Sequence, residues 1–124
     1  MTRTAREVVE LYNFVVWNER NFELPQELFA DNVIRHEVEE VTTLTRDQAV
    51  QRVKDSGAIF DKLRVDLNLV VAGDDGEHVA IVYRMRGTTT AGNDVPVAGI
   101  EVFHVVDGRI TEVYNCGYTQ GFWK

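Results

Sequence analysis

The sequence predicts an α+β domain in which N-terminal helices pack into a strongly curved, mostly antiparallel sheet. Helical periodicity dominates the first half of the chain, period-two alternation dominates the second half, and short turns separate the later strands. Helices followed by an antiparallel meander are typical of α+β proteins and not of βαβ folds. Three helices cannot cover both faces of a sheet of long, twisted strands. We therefore expect the sheet to curl around the helices into a cone-shaped barrel with an open mouth.

The first element is a long amphipathic helix. Thr4 and Glu7 have the spacing of a capping box, which marks the helix start, and apolar residues then recur at helical spacing to near Arg20. Pro25 suits the first turn of a short second helix, because its fixed backbone angle matches a helix start. The sequence thus predicts one long helix and one short helix before the first strand.

A strand and a third helix follow. Residues 32–41 are rich enough in β-branched side chains to predict a strand. Thr45 and Gln48 form a second capping box, and the predicted helix carries an apolar stripe that ends at Phe60. Gly57 interrupts this helix near its end.

The second half predicts a meander of strands. Apolar and polar residues alternate from Leu63 to Leu69, as a half-buried strand requires. Asp107-Gly108 accepts the positive φ angles of a type I′ turn and joins the last two strands as a hairpin. The predicted strands begin near residue 63 and then span 79–89, 95–106 and 109–118.

Length, charge and cysteine content exclude several classes of protein. A chain of 124 residues is predicted to form one domain, residues 1–124. The formal net charge of −7 opposes binding to nucleic acid or to an anionic membrane surface, because both require clustered Lys and Arg. Cys116 is the only cysteine, so no intrachain disulfide can form. Since no signal-peptide core or membrane span is evident, we expect a cytoplasmic protein.

A carboxylate in the middle of an apolar strand is the most informative residue. Glu101 lies between Ile100 and Val102, and alternation places it on the same face as Phe103 and Val105. An ionised carboxylate in an apolar setting is costly unless it is paired, reaches water or takes up a proton. Because the sequence does not show which face is concave, Glu101 is either an acid–base group in a pocket or a side chain on a solvated or dimer-facing surface.

Further candidates are polar and aromatic side chains. Asn115, on the partner strand, can hold a ligand oxygen but cannot act as a base. His36 and Glu37 fall in the first strand, and a histidine suits acid–base work near neutrality, although a structural or surface role is the alternative. Aromatic residues that either bound a pocket for an apolar ligand or fill the core are Tyr12, Trp17, Tyr83, Phe103 and Tyr114.

Metal and cofactor chemistry lack support in the sequence. No glycine-rich phosphate loop follows a strand, and the three histidines do not have metal-ligand spacing. The acidic residues between 37 and 40 have arginines nearby, which favours a solvated surface over a metal site. We therefore expect neither a metal nor a cofactor.

Two segments resemble a known family. The run LYNFVVWNERNF at 11–22 and the run ELFADNVIRHE at 27–37 resemble the opening of SnoaL-like polyketide cyclases. These proteins belong to the nuclear transport factor 2-like superfamily, which also holds ketosteroid isomerases and limonene-epoxide hydrolases. The strands from 99 to 115 resemble the closing hairpin of the family. The resemblance implies a cone-shaped scaffold that carries both enzymes and non-enzymatic binders.

The resemblance also implies roles for three acid–base residues. His36 matches a histidine that is common in SnoaL-like proteins. Glu37 looks like the position of the general base of ketosteroid isomerases, and Glu101 looks like their protonated oxyanion-hole aspartate. On this basis all three are candidate catalytic residues.

Two positions depart from the family pattern. SnoaL-like cyclases tend to show a Trp-Asp pair where this chain has Tyr114-Asn115, and the aspartate is the expected acid–base catalyst. The oxyanion tyrosine of the isomerases falls near Asn13, whereas Tyr12 lies one residue away, about 100° around the helix.

The leading hypothesis is a cofactor-free enzyme that acts on a small hydrophobic carbonyl compound by aldol-type cyclisation or isomerisation. In it Glu101 is the acid or base, His36 assists or orients it, and Asn115 holds the ligand oxygen. Epoxide hydrolysis is a second enzymatic alternative, but the Asp-Arg-Asp relay it needs is not evident. The alternative from another class is a non-catalytic small-molecule-binding or assembly module. We expect a homodimer, because an uncovered apolar sheet face is typical of an interface.

Overall fold

A computed structural model describes residues 2–124. The helical elements are α1 (Ala5–Glu10), which continues as a π-helical segment (Leu11–Asn18), then α2 (Pro25–Leu28) and α3 (Arg46–Ala58). The strands are β1 (Phe29–Glu37), β2 (Glu40–Thr45), β3 (Phe60–Ala72), β4 (His78–Thr89), β5 (Asp94–Val106) and β6 (Arg109–Tyr118). Within residues 2–124, no helix has both the length and the apolar character that crossing a membrane requires.

The strands form one six-stranded sheet in the order β2-β1-β6-β5-β4-β3. Every neighbouring pair is antiparallel except β1 and β6, which run parallel. The sheet is curved and unclosed, and the helices contact one of its faces. The predicted α+β class, with helices packed into a strongly curved and mostly antiparallel sheet, is confirmed.

The core lies between the helices and the concave face of the sheet. Its side chains come from α1, the π-helical segment, α2, α3 and strands β1, β4, β5 and β6. Burial of one such Val, Leu, Ile or Phe side chain stabilises the fold by roughly 1.5–3 kcal/mol. The members with no measurable exposure include Val8, Val16, Leu28, Phe103 and Ile110.

Both predicted capping boxes are present. The Thr4 hydroxyl accepts from the Glu7 backbone N–H while the Glu7 carboxylate accepts from the Thr4 N–H, at 3.1 and 2.9 Å. Thr45 and Gln48 make the same pair of bonds at the start of α3. These caps satisfy N–H groups that the helix itself leaves unpaired, which fixes where each helix begins.

The structure corrects three predicted elements. Residues 32–41 do not form one strand, because the chain turns between Glu37 and Glu40 with Glu39 in the left-handed region at φ 68°. Phe60 begins β3 and is not the end of α3. The long first helix exists, but its second half is π-helical. The sequence carries no signal for the turn at Glu39, because residues 37–40 include none of the Gly, Asn or Pro residues that usually mark turns.

The convex face of the sheet carries exposed apolar side chains. Ile34, Ile100 and Tyr114 alternate with core-facing neighbours and are 36%, 47% and 51% exposed. Exposed apolar surface on a strand face is typical of an interface. Coverage of this face by a second copy of the chain stays a prediction.

Candidate functional site

A cavity of about 180 Å³ opens between the π-helical segment, α3 and the concave face of the sheet. Aromatic and aliphatic side chains form most of its wall, as is usual in small-molecule sites. They are Tyr12, Trp17, Phe60, Leu63, Val65, Tyr83 and Met85. A few polar side chains reach the same space, namely Asn13, Arg35, Arg52, Ser56, Glu101 and Asn115.

Glu101 faces this cavity from the middle of β5. Phe103 and Val105 lie on the same strand face and are almost completely buried, so the alternation of β5 directs Glu101 toward the helices. The carboxyl retains some accessible surface because it meets the cavity, but protein surrounds it otherwise. The structure therefore places Glu101 on the concave face, in the wall of the cavity, and not on a solvated or dimer-facing surface.

The environment of Glu101 favours its protonated form. Burial raises its pKa to about 7, the positive charges of Arg35 and Arg52 oppose that rise, and the negative charge of Glu37 adds to it. No hydrogen bond from a described residue contributes to the shift. A carboxyl group with a pKa near neutrality can exchange a proton in either direction under physiological conditions.

Asn115 lies directly opposite Glu101 in the β5–β6 ladder. The Tyr83 hydroxyl donates a hydrogen bond of 2.9 Å to Asn115 Oδ1. In this arrangement the amide oxygen is occupied by Tyr83, and the NH₂ group remains as a donor beside the cavity. Burial, with the charge of Glu101, raises the pKa of Tyr83, so the phenol stays protonated and can donate.

The lack of a side chain at Gly99 in β5 lets Tyr83 reach Asn115. The Tyr83 ring lies over Gly99, where an added Cβ would sit 2.4 Å from both Cζ and Oη of the tyrosine. Glycine inside a strand often marks a close approach of this kind. The sequence signal was present in the strand, but only the register between β4 and β5 shows which side chain fills the gap.

Substitution Gly99→Ala is expected to displace Tyr83 and break its bond to Asn115. Such overpacking destabilises a fold by about 1–3 kcal/mol, to be measured by urea unfolding. Gly117→Ala is the matched control, because an added Cβ there would lie 3.4 Å from Tyr83 Oη, an ordinary contact. Equal effects at the two glycines would contradict the close packing at Gly99.

The π-helical segment supplies the opposite wall of the cavity. Asn13 is buried, and its Nδ2 donates to the Val9 carbonyl at 2.8 Å, where it competes with the backbone for a helical acceptor. π-helical turns are frequently found at functional sites. The Tyr12 ring packs edge-on against Trp17, with ring centroids 6.0 Å apart, and burial raises the pKa of Tyr12. The segment thus presents an amide and two aromatic rings to the ligand space.

Arg35 and Arg52 were not identified as site residues from the sequence. Arg35 is 8% exposed in β1, and Arg52 reaches the cavity from α3. The signal for Arg35 was the alternation of β1: Val33 is in the core, so the residue two positions later faces the same side. A charged residue at such a position is unusual, because Arg is almost never fully buried unless it is paired.

His36 lies on the opposite face of the sheet. Its Nε2 is 2.5 Å from Glu112 Oε2, and its ring stacks on Tyr114 with centroids 4.0 Å apart. Neither His36 nor Tyr114 lines the cavity, because both alternate with residues that do face it. The prediction that His36 assists or orients Glu101 is therefore wrong, because the two side chains lie on opposite faces of the sheet. The prediction that Tyr114 bounds the pocket is wrong for the same reason.

Two other candidates are displaced from the expected positions. Glu37 is exposed and does not line the cavity, and its carboxylate is 3.6 Å from Arg35 Nη2. Phe103 is completely buried and packs against Tyr12 with ring centroids 5.8 Å apart, so it belongs to the core and does not contact the cavity. Of the predicted candidates, the structure brings five to the cavity, namely Tyr12, Trp17, Tyr83, Glu101 and Asn115.

The sequence from residue 8 to residue 113 matches the family model of the SnoaL-like domain. The chain belongs to the SnoaL-like domain family. The matched segment contains every residue that lines the cavity except Asn115. A comparison with curated proteins finds no match.

Solved structures share the fold of this SnoaL-like chain at low sequence identity. A candidate polyketide cyclase from Acidithiobacillus ferrooxidans is 21% identical, with 94% of this chain and 89% of that chain covered and a TM-score of 0.80. The LEH-like epoxide hydrolase from M. tuberculosis is 17% identical, with 94% and 84% covered and a TM-score of 0.78. SalBIII, an epoxide hydrolase/cyclase-like enzyme of salinomycin pyran ring formation, is 20% identical, with 92% and 90% covered and a TM-score of 0.78.

Proposed function

We propose that this SnoaL-like protein is a cofactor-free enzyme that transfers a proton on a small hydrophobic carbonyl compound, in an aldol-type cyclisation or an isomerisation. One observation carries the proposal: among the described residues, Glu101 is the single carboxylate that lines the cavity, and it has no hydrogen-bond partner there. An acid–base group that is enclosed by aromatic walls and not held by a structural partner is free to act on a ligand.

The proton steps follow from the positions of Glu101 and Asn115. In its ionised form Glu101 removes a proton from the carbon next to the substrate carbonyl, which leaves an enolate and a protonated Glu101. The Asn115 NH₂ group donates to the enolate oxygen, and Tyr83 holds the amide in that orientation. In an isomerisation the substrate carries a C=C bond beside the deprotonated carbon, and Glu101 returns the proton to the far end of that bond while the C=C bond shifts into conjugation with the carbonyl. In a cyclisation the enolate carbon attacks a second carbonyl, and Glu101 returns the proton to the new alkoxide.

The hydrophobic walls favour these steps energetically. A positioned acid–base group contributes typically about 10²–10⁴-fold in rate, so oxyanion stabilisation must supply part of any larger acceleration. Water exclusion by Tyr12, Trp17 and Tyr83 strengthens the hydrogen bond to the enolate. Epoxide hydrolysis is not proposed, because the relay for that reaction needs two carboxylates and the cavity is lined by one among the described residues.

Hydrogen exchange in D₂O tests the proposal without knowledge of the natural substrate. We expect the protein to catalyse exchange of the α-hydrogens of cyclohexanone, followed by proton NMR, with a rate that rises with pH through the pKa of Glu101 near 7. Glu101→Gln preserves the shape of the side chain and is expected to lower the exchange rate by about 10²-fold or more.

Two outcomes would overturn this function. Exchange no faster than in buffer would favour a non-catalytic binding module, and full exchange by a folded Glu101→Gln protein would exclude Glu101 as the base. Circular dichroism of both proteins confirms that the comparison is between folded chains.

A further inference from the structure

A buried cation in the cavity lacks a complete set of partners. The Nε–H of Arg35 is buried and has no acceptor among the described residues. Nη2 of Arg35 lies 3.6 Å from Glu37 Oε1, and the Glu37 side chain is 50% exposed in a cleft beside the cavity. A buried N–H group on a permanently charged side chain lowers the stability of the fold unless some group accepts a hydrogen bond from it. The unpaired Nε–H of the buried Arg35 therefore indicates a ligand group that completes the pairing.

Among the described residues, the charged side chains that line the cavity itself are two arginines and one carboxyl. Arg35 and Arg52 both line it and carry permanent positive charges. The acidic side chain that lines the same space is Glu101, which burial holds partly protonated near neutrality. Glu37 and Glu40 meet both arginines in an adjoining cleft. Tyr12 and Tyr83 stay neutral because burial raises their pKa. An excess of positive charge thus lines the wall of the cavity.

We propose that Arg35 and Arg52 form an anion-binding subsite that takes a carboxylate of the substrate, so that the substrate is a small keto acid. The proposal rests on the function proposed above and names its substrate class. A guanidinium presents planar, paired donors that match the two oxygens of a carboxylate. Arg35, Arg52, Glu101 and Asn115 line one continuous cavity, so one small molecule can meet the arginines with its carboxylate and Glu101 and Asn115 with its carbonyl.

The size of the cavity limits the apolar part of this keto acid. A closed cavity of roughly 150 Å³ holds one benzene ring. The present cavity of about 180 Å³ therefore accommodates one six-membered ring or its equivalent, and a longer substrate would protrude through the open mouth. Benzoate and benzamide are suitable probes, because they have nearly the same shape and differ in charge.

A second basic cluster on the outside of the sheet provides an internal control. Arg64 and Arg84 lie 3.2 and 3.5 Å from the carboxylate of Asp66, so their charges already have a protein partner. Both side chains are more than half exposed. Because they lie in a separate outer cleft, Arg64→Gln changes positive charge at the surface and leaves the cavity intact.

Isothermal titration calorimetry with the two probes tests the subsite. We expect saturable binding of benzoate, and binding of benzamide that is weaker by about tenfold or more, as the loss of charge-assisted hydrogen bonds predicts. Arg35→Met keeps most of the side-chain volume and is expected to weaken benzoate binding by about tenfold or more while it leaves benzamide binding unchanged. Arg64→Gln is expected to leave both affinities unchanged.

Equal affinity for benzoate and benzamide would overturn the proposal, and so would loss of benzoate binding in Arg64→Gln but not in Arg35→Met. Arg52→Gln provides a second test should Arg35→Met not fold. Benzoate has no enolisable hydrogen, so its binding is independent of turnover. Benzoate binding without cyclohexanone exchange would overturn only the proposed function, and exchange without selective benzoate binding would overturn only the subsite.

Discussion

Glu101→Gln is expected to stabilise the folded protein, and the gain is expected to grow as the pH rises from about 5 to about 8. The carboxyl has a pKa of about 7 in the folded chain, raised from 4.5 by burial. Between these two values the folded state binds more protons than the unfolded state. Wild-type stability therefore falls as the pH rises through this window and levels off above the folded pKa.

The amide of Gln does not titrate, so the stability of the variant does not fall with pH through this group. The difference in unfolding free energy between the two proteins is expected to increase by on the order of 2 kcal/mol across the window. Urea unfolding of both proteins at several pH values measures it, and every other titrating group is common to both chains. Glu101→Leu provides a second comparison that should also be more stable than the wild type at high pH.

A difference that stays constant with pH would show that Glu101 does not take up its proton inside the fold. A difference that grows would show that the chain retains a costly acid where an amide of the same shape is better tolerated. Residues that reduce stability in this way are typical of functional sites. This experiment therefore bears on the role of Glu101 without any assay of activity.

The sequence identifies Glu101 as a candidate acid–base residue but does not show which face of the sheet it lies on. Alternation along β5 groups Glu101 with Phe103 and Val105, and the same pattern would arise if that face were covered by a second chain. The choice depends on where the helices pack, which is a long-range property of the fold. Once α1 and the π-helical segment are placed, the position of Glu101 follows.

The wrong placement of His36 has a local cause. In β1 the apolar Ile34 and the polar His36 share the convex face, whereas Val33 and the charged Arg35 share the concave face. Chemical character alone favours a histidine in the site and an arginine on the surface. The alternation from Val33 would have predicted the reverse, and the unpaired Nε of Arg35 is visible only in the structure.

Asn115→Asp is expected to strengthen proton transfer and to change the titration of Glu101. The two residues are directly opposite each other in the β5–β6 ladder, and both line the cavity. An aspartate has the shape of the asparagine but can exchange a proton, and it can still accept the hydrogen bond from Tyr83. The variant thus adds a second acid–base group without new packing. Because the two carboxyl groups share one proton near neutrality, the new carboxyl in its protonated form donates to the enolate oxygen in place of the amide NH₂ group.

Two carboxylates in one enclosed site cannot both ionise easily. We expect the Asn115→Asp pair to titrate in two steps, with the upper step at least about one pH unit above the wild-type Glu101 value. Carbon-detected NMR of both side chains follows the titration. The cyclohexanone exchange rate is expected to rise by on the order of 10²-fold, the lower end of what one positioned acid–base group contributes.

Asn68→Asp is the matched control, because Asn68 is an exposed residue on β3 and does not line the cavity. It adds the same formal charge to the chain and is expected to leave both the Glu101 titration and the exchange rate close to wild type. An unchanged Glu101 titration in Asn115→Asp would show that the two side chains do not share an electrostatic environment. In that case Glu101 would act without Asn115, and the enolate oxygen would need a different donor, of which Asn13 on the opposite wall is the candidate in the structure.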